Sequence, residues 1–557
     1  MRESGTETAR RAGTFAWRGV RPPEPHVEAV LVGLLVVAIH LLASLSSALL
    51  VGAVNDDGVY LVLGRALAEG HGYHSAHLVG SPVQVKYPPG FPLVLAFLWR
   101  LGGSVEAVQR IVGVLHPVLL GLAASLLWWV GRDRIKAPRS LLLLLVLLPF
   151  LLEASIQYYS IILSEPWFIL GWAGVVALWT AASSAMPGRR RLVLLATVGL
   201  LLAAATLVRT QGGVLLPAIA FALLARRFSA LERVVALAAS IVPLGIWQLY
   251  HSALVVRGPV SSLPDESPYL RWVQGGGAGE LAALIGGIPV NLGFYLSHFG
   301  AYFSSVGPLG WGLALLILGG TVIGAVFAIR REPLLALSAL GGAAVVAVWP
   351  WVQDRLLLPV LPFLGLAAAA SLAPLLPRWP PAVRRSLGYA CALIAATILL
   401  RQRDVRREAV DAFVEGRPPT FFTPGYVLLL SSRYIVHASR WVRDNTRPTD
   451  RLMIDNHPGI YLYSGRSTLP ANPSESRIQP SVFTVPGQYL ATHILRDSIN
   501  YVIVGLRLPG IMGDLEAIAA RCPGVLSWGG TSAIDSRYIY RVHRDEACLD
   551  PLAHAGP

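Results

Sequence analysis

The stretch VEAVLVGLLVVAIHLLASLSSALLVGAV, residues 27–54, runs directly into Asn55-Asp56-Asp57-Gly58-Val59-Tyr60. A transmembrane helix needs roughly 20 mostly apolar residues, and this stretch exceeds that. It is too long for the apolar region of a cleaved signal peptide, and the segment before it is too extended, so it reads as an uncleaved span. Similar stretches follow at 107–130, 140–152, 166–182, 192–208, 212–225 and 234–254, then at 309–329, 333–352, 356–376 and 387–400. The expectation is a polytopic α-helical membrane protein of eleven spans.

Composition agrees with that fold class. The 557 residues are 54% hydrophobic and only 14% charged, where soluble domains carry about 25% charged residues. This hydrophobicity excludes a disordered chain, and the glycines lack a collagen-like period. The net charge of +14 would suit a nucleic-acid binder, but its placement decides otherwise. With the N-terminus inside, the six cytosolic segments hold 20 Lys and Arg and the five outer loops only 7. Basic residues gather on the cytosolic side of membrane proteins, so the excess charge is a signal of topology. No nucleic-acid partner is expected. The apolar but short stretch 88–103 is placed as a helix lying in the outer interface.

This topology divides the chain into a cytosolic basic tail (1–26), a transmembrane module (27–400) with outer loops 55–105 and 255–308, a linker (401–430) and an extracytoplasmic α/β domain (431–557). Within the last, 433–445 reads as a helix, and 451–455 and 501–505 as short buried strands. The linker is Pro-rich over 417–425. Cys522 and Cys548 both fall in the outer domain, where disulfides are permitted, and form a disulfide candidate. Sequence supplies no geometry to decide whether they are bridged.

The polar residues left near hydrocarbon need an explanation. Asp56 and Asp57 follow the first span directly, and as plain helix-capping acids they would need no further role. Other groups converge on the same face. Glu165 sits at the mouth of a span in Leu163-Ser164-Glu165-Pro166, Arg209 in a three-residue turn, Arg355 in Gln353-Asp354-Arg355, and Lys86 in the first loop. Acids this close to a bilayer are costly and usually functional. A structural ion pair, such as Glu165 with Arg209, is the competing explanation. Chemistry suited to this face joins a carboxylate base to cations that stabilise a departing phosphate. The loop with Gly275-Gly276-Gly277 could cover such a site or serve as a plain linker. His71, His74 and His77 read as a polar surface rather than a metal set.

Asp56-Asp57-x-x-Tyr60, the Gly70-His71-Gly72-Tyr73 stretch and Tyr87-Pro88-Pro89-Gly90 resemble the first outer loop of GT-C glycosyltransferases. The likeness is to the family that includes protein O-mannosyltransferases and lipid A aminoarabinose transferases. Leu163-Ser164-Glu165-Pro166 resembles that family's second acidic loop, Arg209-Thr210-Gln211-Gly212 its Arg-containing turn, and Asp354-Arg355-Leu356-Leu357-Leu358-Pro359 its late Arg-Tyr-Leu-Leu-Pro segment. One departure is that Tyr87 separates Lys86 from Pro88, where related chains often place Lys directly before Pro-Pro.

The resemblance implies transfer of one sugar, with inversion, from a polyprenyl-phosphate donor to an acceptor on the outer face of the cytoplasmic membrane. In that reading Asp56 is the base, Asp57 orients it, Glu165 is the second acid, and Lys86, Arg209 and Arg355 contact the donor phosphate. The acceptor is a glycan, lipid or protein, and neither metal nor cofactor is needed. A transporter of lipid-linked sugars is the main rival. Transporters favour mid-membrane charges and repeated halves, whereas here the charges gather at one face and no repeat occurs. A degenerate family member acting as a binding module is the other.

Overall fold

The computed structural model describes residues 23–47, 49–258, 278–301, 308–349, 353–417, 424–455, 457–471, 485–504, 509–530 and 538–554. Most of the basic tail, Gly275-Gly276-Gly277 and most of the Pro-rich 417–425 stretch lie outside these residues.

Among the described residues, six helices are long and apolar enough to cross a membrane: Pro25–Leu45, Val105–Arg134, Glu165–Ser184, Arg189–Val208, Ala230–Arg257 and Pro381–Glu415. A seventh crossing arises if Arg139–Leu151 and Glu153–Tyr159, bent by 43°, count as one broken span. Shorter apolar helices include Gly90–Gly102, Thr210–Ala225, Pro333–Val348 and Leu361–Leu372. The protein is a multi-pass membrane protein, and each of the eleven apolar stretches overlaps one or more helices. The first stretch is helical only to Leu45, and residues 51–54 form turns.

Two expectations about connections are corrected. The loop assigned to 255–308 contains the helix Ala278–Ala301. Gly286, Gly287, Pro289 and Asn291 lower its apolar character, and of these Asn291 is tied to another helix. Asn291 donates from Nδ2 to the carbonyls of Ala347 (2.9 Å) and Trp349 (2.8 Å), closing the end of the helix Pro333–Val348. The stretch 401–430 is not an extended linker over its described residues. The helix Pro381–Glu415 runs through the last span into it and ends at Gly416, whose φ of 68° is left-handed. No Gly or Pro interrupts 401–415, and ion pairs such as Arg407–Asp411 at 3.8 Å support the extra turns.

Ionic contacts tie the helices together at the end of the bundle away from Asp56. The carboxylate of Glu28 accepts hydrogen bonds from Arg132 Nε (3.0 Å) and Arg139 Nε (3.0 Å). Arg191 grips Glu232 through two bonds of 2.6 and 2.7 Å, while Ser229 and Glu232 form a capping box. In the core Trp172 stacks on Phe363, with ring centroids 3.9 Å apart, and donates to Ser338 Oγ at 3.1 Å.

The C-terminal domain is built on a five-stranded sheet of order β2-β1-β3-β5-β4. Its strands are β1 (Leu452–Ile454), β2 (Thr468–Leu469), β3 (Tyr501–Val504), β4 (Leu526–Gly530) and β5 (Tyr538–Val542). β1 pairs in parallel with β2 and β3, and β5 runs antiparallel to β3 and β4. Leu452-Met453-Ile454 is buried throughout, as expected of a strand covered on both faces. Helices Gln488–Asp497, Pro509–Arg521 and Glu546–Ala553 pack against it, and a Cys522–Cys548 disulfide joins the last two. The domain sits against the first loop: Leu78 bridges to Thr468 in a parallel pair, and the amide of Thr468 donates to the His77 carbonyl at 2.8 Å.

Candidate active site

The turn before Asp56 is an unusual one. Asn55 has φ 72° and Gly52 φ 99°, so the chain reverses sharply between the first span and the helix Asp56–Ala68. Asp57 holds this reversal, accepting the amides of Gly52 (2.7 Å) and Val54 (3.1 Å). Burial pushes the Asp57 carboxyl up to about 6, against the pull of those amides and that of Gly58. A Cβ on Gly52 would lie 2.4 Å from the Cα of Gly459, so this turn also seats the C-terminal domain.

Asp56 therefore projects alone into a cavity of about 120 Å3, lined among others by Tyr60, Lys86, Tyr87, Arg209, Gln353 and Arg355. The Tyr87 hydroxyl donates to Asp56 Oδ1 at 2.5 Å, and Arg355 pairs with Oδ2. Burial alone would raise the Asp56 carboxyl. The charges of Arg355 and Lys86 and the two hydrogen bonds override it and hold the group at about 2. Tyr87, the residue that departs from the related pattern, thus places a hydroxyl on this carboxylate. The Lys86 ammonium stands 5.3 Å from the centre of the Tyr87 ring.

The two arginines are held in the same way from two distant turns. Arg209 Nε donates to Gln211 Oε1 (3.2 Å) and Arg355 Nε to Gln353 Oε1 (2.7 Å), each a glutamine two residues away. Arg209 Nη1 also donates to Ser164 Oγ at 3.1 Å. Behind them Glu165 is fully buried, 3.0 Å from Arg209 and 4.0 Å from Arg355. A single carboxylate thereby carries two guanidiniums that face the cavity.

The structure brings together Asp56, Lys86, Arg209 and Arg355, all singled out in the sequence. Asp57 and Glu165, taken there as catalytic, do not line the cavity. Asp57 braces the turn and Glu165 positions the arginines. Tyr60, Tyr87, Gln211 and Gln353 also line the cavity; the sequence motifs contain them but assigned them no role. The Arg-x-Gln and Gln-x-Arg spacings were a usable signal for the two glutamines. Among the described residues no group of three or more His, Cys, Asp or Glu is placed to hold a metal ion.

Gly90 sets how closely Arg209 approaches the first loop. A Cβ there would meet the Leu207 carbonyl carbon and oxygen at 2.7 Å and the Val208 amide nitrogen at 2.8 Å. These are backbone atoms and cannot swing aside. Gly90→Ala is expected to push the end of the helix Arg189–Val208 away and carry Arg209 with it. Displacements near 1 Å in a site cost up to about 100-fold in rate, and turnover kinetics of the purified variant would read that loss.

The histidine expectation is corrected at His77, while His71 stays exposed and His74 half-buried. His77 is buried, not a surface group, and stacks on His457 of the C-terminal domain with ring centroids 5.0 Å apart. Burial, and then the charge of Lys86, push His457 down to about 3 from an ordinary 6.5. Burial and then His457 lower His77 as well. The sign follows from linkage: a histidine depressed in the fold stabilises fully above its unfolded value and loses that contribution as pH falls towards the folded one. The contact of the first loop with the C-terminal domain should therefore loosen as pH drops from about 6.5 towards 3. Amide exchange at Thr468 would report this, and His457→Phe should flatten the dependence.

No family model matches the sequence, and a comparison with curated proteins finds no match. The fold is that of the GT-C glycosyltransferases. ArnT from Cupriavidus metallidurans, solved in the apo state, matches with TM-score 0.52 at 14% identity, covering 96% of this chain and 100% of that one. The archaeal oligosaccharyltransferase AglB from Archaeoglobus fulgidus, solved with an inhibitory peptide and a dolichol-phosphate, matches with TM-score 0.52 at 12% identity, covering 92% of this chain and 74% of that one.

Proposed function

We propose that the protein is a membrane glycosyltransferase that moves one sugar from a polyprenyl-phosphate donor to an acceptor at the outer face of the cytoplasmic membrane, with inversion. The observation that carries this reading is the convergence of one carboxylate, Asp56, with Lys86, Arg209 and Arg355 in one cavity. The excess of basic residues on the opposite loops supports the sidedness. The dolichol-phosphate held by the fold neighbour supports a lipid-phosphate donor.

Asp56 Oδ2 takes the proton of the acceptor hydroxyl as its oxygen attacks the anomeric carbon. The bond from that carbon to the phosphate oxygen breaks, and the electron pair leaves on the polyprenyl phosphate. Arg209, Arg355 and Lys86 meet its charge, so the reading calls for no metal and no cofactor. A carboxylate held at about 2 is a weak base. Donor binding corrects this, because the phosphate draws Arg355 and Lys86 off Asp56 and its proton affinity rises.

The test is an assay of the purified chain with polyprenyl-phosphate sugars and a membrane acceptor fraction. Release of polyprenyl phosphate together with glycosylated acceptor is expected. Movement of intact donor across vesicles without release of its sugar would overturn the reading in favour of a transporter.

A further inference from the structure

A second cavity lies away from the site, between the first span, the bend at Leu151–Glu153 and the last long helix. It measures about 520 Å3. Its wall on the helix Pro381–Glu415 is a single stripe: Leu399, Gln402, Arg403, Arg406, Arg407 and Val410 recur at the three- and four-residue spacing of one helical face. The opposite wall carries Ile39, Leu151 and Ile156 together with Gln157 and the buried carboxyl of Glu153, and Asp411 completes the lining on the long helix.

The chemistry is graded along this stripe. Leu399 belongs to the apolar part of the helix, and the arginines begin one turn further on. Arg407 pairs with Asp411 at 3.8 Å, while Arg403 and Arg406 have no acidic partner among the described residues. Gln402, only 7% exposed, lines the same cavity with an Nε2 that has no hydrogen-bond acceptor among the described residues. A buried donor of this kind is costly unless something occupies it. A groove with hydrocarbon at one end, and two unpaired guanidiniums and an orphan amide donor at the other, is complementary to an anionic amphiphile.

We infer that this groove binds an anionic glycerophospholipid of the surrounding leaflet. Its acyl chain lies along Ile39, Leu151 and Leu399, its phosphate meets Arg403 and Arg406, and an oxygen of the headgroup or ester accepts from Gln402. Under the sidedness proposed above, these arginines stand at the outer membrane surface, where a basic side chain attracts an anionic headgroup. The same groove flanks the helix Glu153–Tyr159, which leads into Ser164 and Glu165. A lipid seated there would brace that connection from the bilayer side.

Native mass spectrometry of the full-length protein, released from mixed micelles containing phosphatidylglycerol or phosphatidylcholine, tests this independently of any transfer activity. One retained phosphatidylglycerol is expected, favoured over phosphatidylcholine by about tenfold or more, since each basic side chain at a membrane surface contributes several-fold. The variant Arg403→Gln/Arg406→Gln should lose that preference, and Gln402→Leu should weaken retention with the charge unchanged. Equal retention of the two lipids, or undiminished retention by the double variant, would overturn the inference. So would displacement of the phosphatidylglycerol by polyprenyl phosphate, which would make the groove part of the donor path.

Discussion

Asp56→Asn is expected to lower turnover by about 10²–10⁴-fold, the range that a positioned general base supplies, with little loss of folded protein. The side chain is half-buried, with the Tyr87 hydroxyl on Oδ1 and the Arg355 guanidinium on Oδ2; in the amide the oxygen can keep Arg355 while the Tyr87 hydroxyl turns to accept from the NH2. What the amide cannot do is accept the acceptor's proton. A loss of only a few-fold would remove Asp56 from the role of base. The pH profile carries a second, signed expectation. The acid limb of kcat/KM reports the free enzyme, where Asp56 is held at about 2, so activity should stay level well into the acid range. The limb of kcat reports the donor complex, where the phosphate has drawn Arg355 and Lys86 away, and it should lie at higher pH. Tyr87→Phe removes a bond to the charged carboxylate and should move the kcat/KM limb upward. Coincident limbs in kcat and kcat/KM would mean that the donor does not compete with Asp56 for its cations.

How much of this was legible beforehand depends on whether a residue's partners lie close in sequence. Asp56, Arg209 and Arg355 stood out because charge beside hydrocarbon is costly and each borders an apolar run, and Lys86 because its loop lies on the same face. The difference between Asp56 and Asp57 came only from the family resemblance and not from the chemistry of the two residues. It depends on the left-handed φ of Asn55, which turns one carboxylate to the cavity and the other back to the amides of Gly52 and Val54. The His77–His457 stack was hidden for another reason: its members are brought together only when the first loop meets the C-terminal domain. The helix Ala278–Ala301 escaped because window hydropathy counts Gly286, Gly287, Pro289 and Asn291 against a helix, whereas Asn291 is satisfied by carbonyls of another helix. The overrun of Pro381–Glu415 into the expected linker has the opposite cause. The apolar run stops at Leu400, but charges spaced four apart carry the helix on beyond it.

Glu165→Gln is the second change with a large expected effect, and here stability falls as well as activity. Glu165 has no exposed surface and is the carboxylate nearest Arg209 at 3.0 Å, with Arg355 at 4.0 Å. Removing one member of a buried ion pair leaves uncompensated charge and costs about 3–5 kcal/mol. Arg355 retains Asp56, so the loss should fall mainly on Arg209, which would swing toward the cavity or toward water. Donor KM should then rise more than kcat falls, because a cation is misplaced while the base remains. Thermal unfolding of the purified protein and donor titration would measure the two effects separately. The decisive variant is Glu165→Gln/Arg209→Gln. Deleting the stranded charge should recover part of the stability, since coupled neighbours are non-additive, yet it should not recover donor affinity. Recovery of both would make the pair a structural strut with no hold on the donor. Recovery of neither would mean that Glu165 is sustained by contacts other than Arg209, and that the two arginines reach the cavity without it.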